Sequence, residues 1–130
     1  MTETTDPGRL GPEHRELLGQ VLDKWSLEVL DRLCERPRRF NELRRAIPAV
    51  TQKSLTATLR RLERNGMVER EIVSTRPVGV EYRMTPLGKT LQGLIDALLE
   101  WSATRLPEVN RARDRFDDAE REAEQGSVSR

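Results

Sequence analysis

A chain of 130 residues has room for one domain with extensions, and its composition, 35% hydrophobic but only 4% aromatic, gives an aliphatic core of modest size that a partner chain could complete. One cysteine excludes an intramolecular disulfide, one cysteine with one histidine supplies no zinc site, and no apolar run is long enough to span a bilayer. The net charge of +1 conceals an asymmetry: residues 1–35 carry four basic and eight acidic side chains, residues 36–83 twelve and five, and residues 84–130 seven and nine.

The middle of the chain is therefore a basic island. Twenty of the 23 basic residues are arginine, but an arginine-rich composition alone would not confine the excess to one segment. Residues 1–11 are polar, lack a signal-peptide pattern and read as a flexible leader, which points to a cytoplasmic protein.

Pro12 opens a helical pattern through Leu17, Leu18, Val21 and Leu22. Asp23 is placed to cap a second helix, in which Trp25, Val29, Leu30 and Leu33 recur at helical spacing before Pro37. Both helices are expected in the core. Asn41 is expected to cap a short helix containing Leu43 and Ile47, which Pro48 ends.

The next helix has the best-defined ends. Thr51 is its expected N-cap, with Val50 and Leu55 spaced as a hydrophobic staple, and Gly66 suits the left-handed position after its end, with Met67 reaching Leu62. The helix is thus expected over about residues 52–65. At about 100° per residue, Leu55, Leu59 and Leu62 form an inward stripe, while Lys53, Ala57, Arg60 and Arg64 centre the outward face and Gln52, Thr56 and Arg61 flank it.

Two helices of these lengths joined by a short turn make a helix-turn-helix, whose second helix suits a DNA major groove. Gln52 and Lys53 can reach base edges, Thr56 offers a hydroxyl, Ala57 permits close approach, Arg60 can pair with guanine, and Arg61 is assigned to phosphate. An ordinary solvated amphipathic helix shows the same spacing; the basic neighbours favour the DNA assignment. Arg39, Asn41, Thr51 and Ser54 complete the candidate contacts on this side.

Residues 68–73 have strand character, and Val80, Tyr82 and Met84 alternate with Glu81 and Arg83, so a hairpin with its connection over residues 74–79 is expected. After a recognition helix such a hairpin is a wing, and Arg76 at its tip is a further candidate contact, or else a solvated loop residue. Thr85-Pro86 starts another helix with an apolar face of Leu87, Leu91, Leu94, Ile95, Leu98 and Trp101, more than a small domain needs for itself. Leu17, Leu91, Leu94, Leu98 and Trp101 are the candidate dimerisation residues. The expected domain covers residues 12–104, and residues 105–130 form a charged extension, helical in part and then disordered.

Asp23-Lys24-Trp25-Ser26, Arg39-Phe40-Asn41-Glu42-Leu43, Thr51-Gln52-Lys53-Ser54-Leu55-Thr56, Leu59-Arg60-Arg61-Leu62-Glu63, Glu81-Tyr82-Arg83-Met84-Thr85 and Leu87-Gly88 together resemble the successive motifs of HxlR-type transcriptional regulators. The resemblance covers residues 12–101 and implies a dimeric winged helix-turn-helix protein on a two-fold operator. Many members of that family carry an electrophile-sensing cysteine just before the first helix; here Gly11 stands at that place. Cys34 instead reads as a partly buried structural thiol beside Leu27 and Leu30, and His14 as a surface helix residue.

The expected fold is thus mainly α with a small β-hairpin, a winged helix-turn-helix with flanking dimerisation helices. The expected function is sequence-specific DNA binding as a homodimer, with repression favoured over activation. The alternative is a winged-helix protein-interaction module that docks an acidic partner. A small-molecule effector is left open, a membrane partner is not expected, and no nucleophile–base pair or phosphate-binding glycine loop suggests an enzyme or a cofactor.

Overall fold

The structure, a computed structural model, describes residues 10–128. The expected leader lies outside these residues except for Leu10 and Gly11, as do Ser129 and Arg130 at the other end. In chain order the elements are α1 (Pro12–Val21), α2 (Lys24–Glu35), β1 (Arg38–Arg39), α3 (Phe40–Ala46), α4 (Gln52–Arg64), β2 (Val68–Thr75), β3 (Val78–Met84), α5 (Pro86–Lys89) and α6 (Gln92–Val128). The chain divides into two compact units between Ile95 and Asp96.

In the first unit, α2 starts at Asp23, whose carboxylate accepts the Ser26 N–H at 3.3 Å. Its Val29, Leu30 and Leu33 are buried with Leu43, Ile47, Val50, Leu55, Leu59 and Leu62 from the helix-turn-helix, and Met67, Val68, Met84 and Ile95 close the cluster. Each such side chain contributes about 1.5–3 kcal/mol on full burial. Helix α1 joins this core less than its pattern suggested: only Val21 is buried, while Leu17, Leu18 and Leu22 remain exposed.

Several elements depart from their local signals. Asn41 is not the cap of α3, because the helix already begins at Phe40 and the Arg39 N–H is satisfied by Glu42 Oε1 at 2.8 Å. The cause is β1, which the sequence did not reveal: Arg38 pairs with Tyr82 and Arg39 with Glu81, so the chain stays extended through Arg39 and turns helical immediately after. The antiparallel sheet consequently has three strands in the order β1-β3-β2. The hairpin is longer than expected, its strands running to Thr75 and from Val78 with only Arg76-Pro77 between them, and an irregularity between Ile72 and Ser74 leaves Val73 without a partner in the register.

The single helix expected after Thr85 is divided. Thr85 Oγ1 accepts the Gly88 N–H at 3.0 Å as the cap of α5, and the Thr85 N–H bonds the Met67 carbonyl at 3.0 Å. A side-chain carbon at Gly88 would overlap that same Met67 carbonyl, so only glycine lets α5 lie flat on this corner. The chain then tightens at Thr90 and Leu91, whose N–H groups bond carbonyls three residues back, before α6 buries Ile95.

Helix α6 continues without interruption through Pro107 and the charged extension to Val128, where the composition suggested fraying. Neighbouring side chains one turn apart support it: Arg105 pairs with Glu108 at 2.5 Å, Arg113 donates to Asn110 at 3.3 Å, and Arg121 pairs with Asp118.

Candidate nucleic-acid interface

Helix α4 is built from its ends. Thr51 Oγ1 accepts the Ser54 N–H at 3.0 Å, and Gly66, with φ of 77°, closes the other end as the Gly66 N–H bonds Glu63 O at 3.0 Å and the Met67 N–H bonds Leu62 O at 2.9 Å. This is the Schellman arrangement, which satisfies carbonyls that would otherwise lack donors. Leu55, Leu59 and Leu62 are buried beneath it, joined by Thr58, whose inward place the leucine spacing did not reveal.

The opposite face is open. Thr51, Gln52, Lys53, Thr56, Ala57, Arg60 and Arg64 are exposed, and Ser54 is half-buried at the cap. Asn41 is exposed on α3. Arg76 is exposed in the two-residue turn of the hairpin. Arg39 lies along the wing: a carbon added at Gly79 would approach its guanidinium to 3.0–3.1 Å, so this glycine makes room for the arginine. Beside α4 is an open groove of about 810 Å³, lined by Phe40, Gln52, Thr56, Leu59, Arg60, Glu63, Arg64, Arg70 and Tyr82.

Arg61, the residue assigned to phosphate, has partners within the domain. It is half-buried, donating to Asp23 Oδ2 at 3.0 Å and to Thr58 Oγ1 at 3.3 Å, so its charge is already engaged inside the domain. Several other members of the basic island are paired as well. Arg36 meets Glu42 at 3.1 Å, Arg38 meets Glu35, Arg70 meets Glu63 at 3.6 Å, Arg83 meets Glu71 at 2.6 Å, and Arg64 stands 4.0 Å from Glu16.

Within the basic island of residues 36–83, six side chains, those of Arg39, Arg44, Arg45, Lys53, Arg60 and Arg76, make no ion pair with a carboxylate of the described residues. They belong to the start and end of α3, the outward face of α4 and the hairpin turn. Arg44 and Arg45 were not singled out from the sequence; their adjacency on the short helix before the turn was the available signal. The Glu42 carboxyl is held below the ordinary glutamate value, first because the Arg39 N–H donates to it and then because Arg36 does.

Of the candidate dimerisation residues, Leu17, Leu94, Leu98 and Trp101 are exposed, whereas Leu91 is half-buried against the core of the first unit. Cys34 is half-buried, its Sγ 3.7 Å from Met84 Sδ. His14 Nδ1 accepts the Gly11 N–H at 3.1 Å at the exposed start of α1. Among the described residues no cluster of His, Cys, Asp and Glu could hold a metal ion, and no helix is long and apolar enough to cross a membrane.

Residues 20–110 match the family model described as HxlR-like helix-turn-helix. The HTH-type transcriptional regulator YtfH of Escherichia coli strain K12 is 39% identical over 100 residues, covering 77% of this chain and 79% of the relative. Among solved structures, the transcriptional regulator ytfH from Salmonella typhimurium superposes with a TM-score of 0.72 at 35% identity, over 79% of this chain and 91% of that one. The reduced form of the transcriptional regulator YodB from Bacillus subtilis does so at 0.63 and 30% identity, over 72% of this chain and 92% of that one. These relatives are transcriptional regulators rather than enzymes, and they favour DNA over an acidic protein as the target of the basic face.

Proposed function

The chain belongs to the HxlR-like helix-turn-helix family of transcriptional regulators, and from that premise we propose that it acts as a homodimeric repressor on a two-fold DNA operator, with α4 as its recognition helix. The observation that carries this reading is the division among its basic side chains. Arg61 on the back of α4 and Arg38, Arg70 and Arg83 on the sheet are offset by carboxylates, whereas Arg39, Arg44, Arg45, Lys53, Arg60 and Arg76 have no such partner among the described residues. A cation without an internal partner can meet a phosphate without breaking anything, and each phosphate so neutralised releases condensed counterions.

In this reading Gln52, Lys53, Thr56 and Arg60 address base edges, and Ala57 lets the helix approach closely enough for a thymine methyl. Arg39, Asn41, Thr51, Ser54, Arg76 and the added Arg44 and Arg45 fix the register through the phosphate backbone. A second copy covers Leu17, Leu94, Leu98 and Trp101, which are otherwise left in water. A two-fold dimer can deliver two recognition helices to successive major grooves about 34 Å apart. Repression requires only that the operator overlap a promoter, where a seated dimer obstructs polymerase without a further contact.

Selection of bound sequences from a random duplex pool, followed by footprinting and sedimentation of the complex, tests the proposal. A two-fold site protected in two successive major grooves by two chains is the expected result. A monomer on an asymmetric site, or no enrichment of sequence, overturns it.

A further inference from the structure

The back of α4 is held by a polar network as well as by leucines. Asp23 Oδ2, which caps α2 through the Ser26 N–H at 3.3 Å, also accepts from Arg61 at 3.0 Å, and Arg61 reaches the buried Thr58 hydroxyl at 3.3 Å. One turn further along, Asn65 Nδ2 donates to Gln20 Oε1 at 2.8 Å, and the Gln20 carbonyl in turn accepts from the buried Ser26 hydroxyl at 2.9 Å. Two struts, at Arg61 and Asn65, therefore tie the second half of α4 to the junction of α1 and α2.

We propose that Arg61 is a positioning residue, whose bridge to Asp23 sets the rotation of α4 about its own axis and so selects which outward side chains reach the bases. The inference rests on the DNA-binding reading above. A leucine stripe attracts without direction, so it resists separation of the helix from the core better than it resists rotation. Rotation is what recognition cannot tolerate: about 20° shifts atoms on the rim of a helix by about 2 Å, enough to break a hydrogen bond. Directional bonds at two points one turn apart remove that freedom. Both members of the ion pair keep about a third of their side-chain surface in water, so screening leaves the bridge little weight in overall stability. Its contribution is to geometry.

The two roles open to Arg61 give opposite signs in one experiment. Asp23→Asn keeps the shape and the capping ability of the residue and removes its charge. If Arg61 positions the helix, Asp23→Asn and Arg61→Gln in the full chain each weaken binding to a duplex selected by the wild type roughly tenfold, with no further loss in the double variant. Binding to a scrambled duplex and the dependence of affinity on salt stay unchanged. Arg61→Lys, which retains a cation for Asp23, restores most of the preference, and Asn65→Ala, which cuts the second strut, lowers the same specific-to-scrambled ratio with the ion pair intact. If Arg61 instead meets phosphate, Asp23→Asn releases it and binding tightens, while Arg61→Gln lowers the salt slope by about 0.9 for each phosphate it no longer neutralises; either result overturns the inference. A wild type that selects no duplex fails at the earlier step and removes the DNA-binding reading together with this one.

Discussion

Replacing Arg60 with alanine is the most direct probe of the proposed recognition face. The side chain is exposed on α4 and has no carboxylate partner among the described residues, so its loss leaves no internal charge unpaired and should change folding stability by no more than about 0.5 kcal/mol. All of a larger effect then belongs to DNA. A bidentate arginine–guanine contact contributes about 1–3 kcal/mol of discrimination, and a two-fold complex contains it twice, so the expected loss is about 2–6 kcal/mol, or roughly 30-fold to 10⁴-fold in affinity. Arg64→Ala is the internal control: Arg64 lies on the same face one turn on but stands near Glu16, and it is expected to matter less. Anisotropy titrations against the selected duplex, and against duplexes changed at each base pair of one half-site, should show relaxed preference at a single position per half-site for the Arg60 variant. If that variant stays within about twofold of the wild type and keeps every base preference, the assigned face is wrong.

Leu98→Asp places a charge on the exposed apolar side of α6 and is expected to abolish the dimer and operator binding with it; a wild type that sediments as a monomer at micromolar concentration would refute the assignment. Cys34→Ser should retain operator affinity and respond to diamide as the wild type does, since the thiol is half-buried beside Met84 and Gly11 occupies the place before α1; release of DNA by the oxidised wild type alone would make Cys34 a sensor. Glu42→Gln tests the junction of α3 with the sheet. Because the folded carboxyl lies below its ordinary value of 4.5, the stability it contributes is present above that value and is lost as pH falls through the folded one. The wild type should therefore melt above the Gln variant near neutrality and lose that advantage in acid, and a gap independent of pH would count against the assigned contacts.

Helix α4 was legible from sequence because its determinants are local. Thr51, the Val50 and Leu55 pair, Gly66 and Met67 lie within the helix or one turn of it, and an N-cap or a Schellman closure involves residues only a few positions apart. The caps Asp23 and Thr85 were legible for the same reason. Asn41 misled because β1 pairs with a strand some forty residues later and overrides the local cap, and neither the close approach of Gly88 to Met67 nor the tightening at Thr90 and Leu91 between α5 and α6 is encoded in a helical period. At the interface, the spacing of leucines separated an inward from an outward face of α4, but it could not say which cations were already engaged. Asp23 stands 38 residues before Arg61, and Gln20 stands 45 before Asn65. Periodicity determines which side of a helix a residue occupies; whether its charge is left for a partner depends on what the rest of the chain brings to that side, and only the tertiary structure decided that.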